Sequence, residues 1–210
     1  MGSAAGGSAT DALRESLDAI ASREPAIARA LAVAGYPEPR IRPTGHATLL
    51  RTIVGQQVSV AAAASVWAKL ETLLGKGIPA EALLAADFAA LRACGLSRQK
   101  QGYARSLCEL VAGGALDLDA LPRDDEAAIA ELVRINGIGR WSAEIYLLFA
   151  ERRPDIWPAG DLAVQAGLHK LLGLESRPGE KLTRALAETW RPHRSAAAIF
   201  TWHCYNNPAL

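Results

Sequence analysis

Three features of the sequence predict an all-α fold. Apolar residues recur at helical rather than strand spacing, alanine-rich stretches such as Ala61-Ala62-Ala63-Ala64 favour helix, and no run alternates apolar and polar residues long enough for a strand. Tyr103, Leu107, Leu110 and Val111 share one helix face, as do Trp141, Ile145, Leu148 and Phe149, and again Val164, Leu168, Leu171 and Leu172. Residues 1–10 are small and uncharged and read as a flexible tail, lacking the basic start and apolar core of a signal peptide. Residues 11–210 are expected to form one helical domain. Its two lobes, 45–150 and 11–44 plus 151–210, would flank a cleft.

Glycine and proline punctuate the rest. Breaks fall at Gly35-Tyr36-Pro37, Gly75 to Pro79, Gly113-Gly114, Pro122, Arg153 to Gly160 and Arg177-Pro178-Gly179, and they delimit roughly ten helices. Asp124 and Asp125 suit the acidic start of a helix carrying Ile129 and Leu132.

Composition narrows the functional classes. Half of the 210 residues are hydrophobic, so a core can form without disulfides or metals. The net charge of +1 does not point to nucleic acid, so any such reading must rest on motifs. Cys94, Cys108 and Cys204 are odd in number and widely spaced, which suits free thiols in a reducing cytoplasm rather than disulfides, zinc or an iron–sulfur cluster. No apolar run reaches membrane-spanning length, and no membrane partner is expected.

The run Leu132-Val133-Arg134-Ile135-Asn136-Gly137-Ile138-Gly139-Arg140-Trp141-Ser142-Ala143 joins two helical patterns through glycines that permit a tight turn. The next helix begins near Arg140, and its unpaired N–H groups form a site for an anion such as phosphate. A helix–helix turn is the bland alternative. The whole run resembles the helix-hairpin-helix of DNA repair glycosylases. That resemblance implies sequence-independent grip on phosphates by Gly137, Gly139 and Arg140. It also implies a Na⁺ or K⁺ ion held by the carbonyls of Val133, Ile135 and Ile138, with no other cofactor and no iron–sulfur cluster.

Asp161 follows Pro158-Ala159-Gly160 and precedes an apolar helix, so position alone makes it an N-cap. It also lies 22 residues after Gly139, the layout in which those glycosylases carry their aspartate. There an anion beside C1′ stabilises the sugar cation and orients water. Bifunctional members place a lysine nucleophile where this chain has Trp141, so strand cleavage through a Schiff base is not expected.

Ile53-Val54-Gly55-Gln56-Gln57-Val58-Ser59 reads as two helices meeting at a polar junction. It resembles the alkylation-repair branch, the 3-methyladenine DNA glycosylase II family. There the residue matching Gln57 is the wedge that fills the stack when a nucleotide flips out. Gly95-Leu96-Ser97-Arg98-Gln99-Lys100 matches the same branch; Arg98 and Lys100 are either a solvated turn or phosphate contacts. The stretch from Trp190 to Trp202 matches its last helices, where Trp202 would line the base pocket, with Trp141 and Tyr146 as further candidates. Aromatic faces suit a cationic alkylpurine, at about 0.5–2 kcal/mol each. Core packing competes for Trp141, and the family's second pocket aromatic is replaced by Ile145.

The resemblance covers residues 40–207 without an N-terminal β-lobe. It implies a monofunctional glycosylase that removes 3-methyladenine- and 7-methylguanine-type purines by base flipping and hydrolysis. The partner would be double-stranded DNA carrying damaged bases, and the protein is expected to be an intracellular monomer. His169, His193 and His203 are expected to be structural. The alternatives are a non-catalytic helix-hairpin-helix module and a glycosylase of the superfamily for other damage. The former would not depend on Asp161. The latter commonly carries the cysteines and lysine missing here.

Overall fold

The computed structural model describes residues 4–208, which contain twelve α-helices, one 3₁₀ turn and no strand. They form two compact units. The terminal unit is the chain up to Ile41 together with Leu147 onward, and the hairpin unit is Arg42–Tyr146. No helix among the described residues is long and apolar enough to cross a membrane.

The terminal unit opens with α1 (Ala4–Ala21) and α2 (Pro25–Ala34). The segment expected to be a flexible tail is thus helical from Ala4, while residues 1–3 lie outside the described residues. Leu13, Leu17 and Ile20 are buried at helical spacing and anchor the C-terminal half of α1. Pro25 starts α2 at a position where its missing N–H costs nothing, and Gly35 ends it at φ 70.

The hairpin unit comprises α3 (His46–Gly55), α4 (Val60–Leu74), α5 (Ala80–Ala85), α6 (Phe88–Ala93), α7 (Arg98–Ala112), α8 (Asp125–Leu132) and α9 (Arg140–Phe149), whose last three residues belong to the terminal unit. Helix α7 is its centre, packed against α3, α5 and α6. That crowding rotates the buried face away from the one expected. Gln101, Ala104, Leu107 and Cys108 are buried, while Tyr103, Leu110 and Val111 are half-buried. Gln101 is tolerated because its amide donates to the carbonyls of Phe88 and Leu96 at 3.2 and 3.1 Å. The separation of α5 from α6 escaped the glycine–proline rule: the break is made by Asp87, whose carboxylate caps α6 by accepting from Ala90 N–H at 2.7 Å.

The terminal unit resumes with α10 (Leu162–Leu172), α11 (Glu180–Leu186), the 3₁₀ turn Ala187–Trp190 and α12 (Arg194–Asn206). Helices α10 and α12 pack closely, and Gly167 makes that possible. A Cβ there would lie 2.4 Å from the Thr201 carbonyl oxygen, inside any tolerable contact. The three cysteines are buried free thiols. Burial pushes Cys108 up to about 11 and Cys204 to about 12.

Candidate active site and nucleic-acid interface

Asp161 is the N-cap of α10. Its Oδ1 accepts from the backbone N–H groups of Ala163 and Val164 at 2.8 and 2.9 Å and from the Trp202 indole N–H at 3.1 Å. Capping therefore fixes the carboxylate, and an α12 side chain fixes it further. The turn before it is equally constrained. Gln165 donates back to Ala159 O at 2.9 Å, and the Trp157 indole donates to Thr183 O at 2.9 Å while packing edge-on against Trp190.

Trp202 is only 9% exposed and stacks on Phe149, with ring centroids 5.6 Å apart and planes at 27°. Phe149 was legible only as an apolar stripe position, yet it supplies the second aromatic beside Trp202. A carboxylate held beside a stacked indole suits a cationic species: the anion stabilises positive charge, and the aromatic faces attract a cationic ring.

Behind this set lies a buried cation. Arg194 grips Asp155 through both carboxylate oxygens at 2.8 and 2.9 Å and also bonds Glu188 at 2.9 Å. Ser195 accepts from Ile156 N–H at 2.9 Å. Together they pin the chain from Arg153 to Ile156, five to eight residues ahead of Asp161, onto the start of α12.

In the hairpin unit, α8 ends at Leu132 and α9 starts at Arg140. Gly137 sits at φ 82, and a Cβ there would overlap the Tyr103 ring, 2.2 Å from Cδ2. The fold itself demands that glycine. Gly139 differs: its φ is not positive, and a Cβ would meet nothing within 4 Å. The Asn136 N–H is held by Ser106 Oγ at 3.1 Å. Val133 is exposed and Ile135 and Ile138 are buried, with the Ile135 carbonyl accepting from Ile138 N–H at 3.0 Å.

Basic side chains expected to meet phosphate are otherwise engaged. Arg140 bonds Glu126 at 2.8 Å and the buried Glu144 at 2.9 Å, and these contacts, the Glu126 bond foremost, hold its guanidinium above its ordinary value. Lys100 is half-buried and donates to the Val54 carbonyl at 2.7 Å, closing the end of α3; desolvation lowers its pKa. Its expected phosphate contact gives way to a helix-capping role. Arg98 is exposed at the first position of α7.

Gln57 is exposed and holds φ 55, a left-handed conformation that costs a non-glycine residue roughly 1–2 kcal/mol. Its neighbour Gln56, to which no role was attached, reaches 81 residues along the chain: its Nε2 donates to the Gly137 carbonyl at 2.8 Å.

Two aromatic expectations change. Tyr146 is buried and its hydroxyl accepts from Gly45 N–H at 2.9 Å, so it anchors the start of α3 rather than presenting a face to a ligand. Trp141 is 47% exposed, which excludes the core reading. Every residue from Ser142 to Ala150 is buried, so periodicity could not single out its orientation. Of the histidines, His203 bonds the Ala34 carbonyl at 2.8 Å and stacks on Phe200, as a structural residue would.

Residues 50–192 match the family model described as HhH-GPD superfamily base excision DNA repair protein. DNA-3-methyladenine glycosylase 1 of Schizosaccharomyces pombe is 32% identical over 158 residues, 73% of this chain and 69% of that one. The chain spans 43% and 49% of the length of two further curated relatives. A solved DNA-3-methyladenine glycosidase from Bacillus halodurans superposes with a TM-score of 0.85 at 29% identity, covering 91% of this chain and 89% of that one. A 3-methyladenine DNA glycosylase of Schizosaccharomyces pombe, solved in complex with abasic DNA, gives a TM-score of 0.79 at 26% identity, covering 93% and 98%.

Proposed function

The chain belongs to the HhH-GPD superfamily of base excision DNA repair proteins, and from that membership we propose that it is a monofunctional DNA glycosylase excising alkylated purines of the 3-methyladenine and 7-methylguanine type. The observation that carries this reading is the convergence of Ala163, Val164 and Trp202 N–H groups on Asp161 Oδ1. A simple N-cap needs only the two backbone donors; an indole donor from another helix serves to aim the carboxylate.

The substrate is damaged double-stranded DNA. The flipped base stacks on Trp202, and the C1′–N bond breaks with its electron pair leaving on the purine. A purine alkylated at N3 or N7 is already cationic, so it departs neutral without a general acid. Asp161 stabilises the sugar cation, and water adds at C1′ after losing a proton to the carboxylate or solvent. Gln57 fills the vacated stack. Trp141 in place of an amine leaves no route to a Schiff base.

Grip on the strand falls to backbone groups. Gly139 is exposed and free of any need for a glycine within the fold, which fits close approach of a phosphate to the start of α9. Arg98 adds an exposed cation at the start of α7. The carbonyls of Val133, Ile135 and Ile138 are neutral oxygen donors of the kind Na⁺ or K⁺ takes, and such an ion would add positive charge beside that phosphate. The protein is proposed to act as a monomer.

The test is release of free bases from methylated DNA. Wild-type protein should liberate 3-methyladenine and 7-methylguanine, and borohydride should trap no covalent adduct. Asp161→Asn should keep abasic-DNA binding and lose release by about 100-fold or more. Release at the wild-type rate by that variant would overturn the mechanism.

A further inference from the structure

We infer that Gln56 is a positioning residue that fastens the turn carrying Gln57 to the hairpin, so that the wedge and the phosphate grip act as one rigid piece. The inference rests on the reading of Gln57 as the wedge. Its starting point is the bond from Gln56 Nε2 to the Gly137 carbonyl at 2.8 Å, between segments 81 residues apart.

Both ends of that bond are pinned by one helix. On one side, Lys100 of α7 donates to the Val54 carbonyl at 2.7 Å, two residues before Gln56, and the Gln56 backbone N–H closes onto Ile53 O at 3.3 Å. On the other, the Tyr103 ring occupies the space a Cβ on Gly137 would need, Gln99 donates to the Tyr103 hydroxyl at 2.6 Å, and Ser106 accepts from Asn136 N–H at 3.1 Å. The Gln56–Gly137 distance is thus set by a frame rather than by a loose contact.

Stability does not account for the bond. It lies at an exposed position, where water would satisfy the Gly137 carbonyl equally well, so its net contribution to folding is small. Geometry accounts for it better. The chain at Gln56 is extended, at φ −60 and ψ 129, and turns left-handed at Gln57, so the residue anchoring the side chain of Gln56 fixes where that turn points. A wedge enters a duplex usefully only at a set distance from the phosphates its own protein holds.

The experiment uses the whole chain and a duplex carrying a tetrahydrofuran abasic-site analogue beside 2-aminopurine, whose fluorescence reports unstacking. Gln56→Met keeps the length and loses the N–H donor without adding charge; Gln56→Lys restores a donor of similar reach, and because its charge strengthens binding to both duplexes alike it is read only through the preference between them. The expected result is that Gln56→Met reduces the preference for abasic over undamaged duplex by up to about tenfold. The fluorescence change should fall with it, while affinity for undamaged DNA and melting temperature hold, and Gln56→Lys should retain more of the preference than Gln56→Met. In a Gln57→Ala background, Gln56→Met should then cost nothing more. A Gln56→Met protein indistinguishable from wild type, or a loss that adds in full to that of Gln57→Ala, overturns the inference while leaving the wedge reading standing. Gln57→Ala without effect on the fluorescence removes the wedge reading and the inference with it.

Discussion

The terminal unit and the hairpin unit hold their functional groups by opposite means. In the terminal unit the proposed working group is a side chain, Asp161, and backbone and indole N–H groups converge to immobilise it. In the hairpin unit the proposed working groups are exposed backbone at Gly137 and Gly139, and side chains are spent holding that backbone in place: Tyr103 against Gly137, Ser106 on Asn136, Gln56 on Gly137. Chemistry at one carbon needs an aimed charge, whereas sequence-independent grip needs donors that any phosphate can meet. The contrast extends to the basic residues. Arg140, Lys100 and Arg105 satisfy internal carboxylates and carbonyls instead of forming a basic surface.

The contrast can be broken at several points. Arg194→Ala should give the largest effect, a loss of about 3–5 kcal/mol in denaturant unfolding, because it removes the buried guanidinium that bridges Asp155 and Glu188 and leaves Asp155 with only the exposed Arg191. An ordinary surface-pair loss of under about 1 kcal/mol would show that Arg191 alone compensates the Asp155 charge. Gly137→Ala should cost roughly 2–4 kcal/mol, since left-handed backbone strain adds to the clash with Tyr103. Gly139→Ala sharpens the comparison: stability should stay within about 0.5 kcal/mol while affinity for undamaged duplex falls. If both properties held, phosphate would not be approaching that residue. Trp202→Phe keeps an aromatic face but removes the donor to Asp161. Single-turnover base release should drop about tenfold with DNA affinity unchanged, the pattern of a terminal-unit lesion. Smallest of all, native Cys108 and Cys204 should resist iodoacetamide at pH 8, because thiols held near 11 and 12 supply almost no thiolate. Labelling at the rate of free cysteine would mean that these cores open readily.

What the sequence made legible follows the same division. Asp161 and Trp202 were singled out in sequence through the family resemblance, Asp161 by its distance from the hairpin and Trp202 by the match of the last helices, and the fold brings the two into hydrogen-bond contact. The helical class was plain from apolar periodicity, and most turns from glycine and proline. Phe149 was visible only as one apolar position among many. Lys100 and Arg140 read in sequence as candidate phosphate contacts because both sit near helix starts, and only the fold reveals the carbonyl and carboxylates that take up their charge. Gln56 was out of reach, since its partner lies 81 residues away and nothing in either local pattern names the other. Trp141 was ambiguous because a helix buried at every position from Ser142 onward has no single buried stripe.

Gln57 has a consequence for anyone who would improve this protein. At φ 55 a glycine or asparagine would relieve the backbone, so a selection for thermal tolerance alone should drift toward those residues at position 57. On the proposed wedge role, such a winner would survive heating better and repair worse, since the shorter side chain could not fill an emptied stack. Screens that score durability and lesion removal together should instead keep glutamine there, and the frequency of that residue among survivors would measure how far the two demands pull apart.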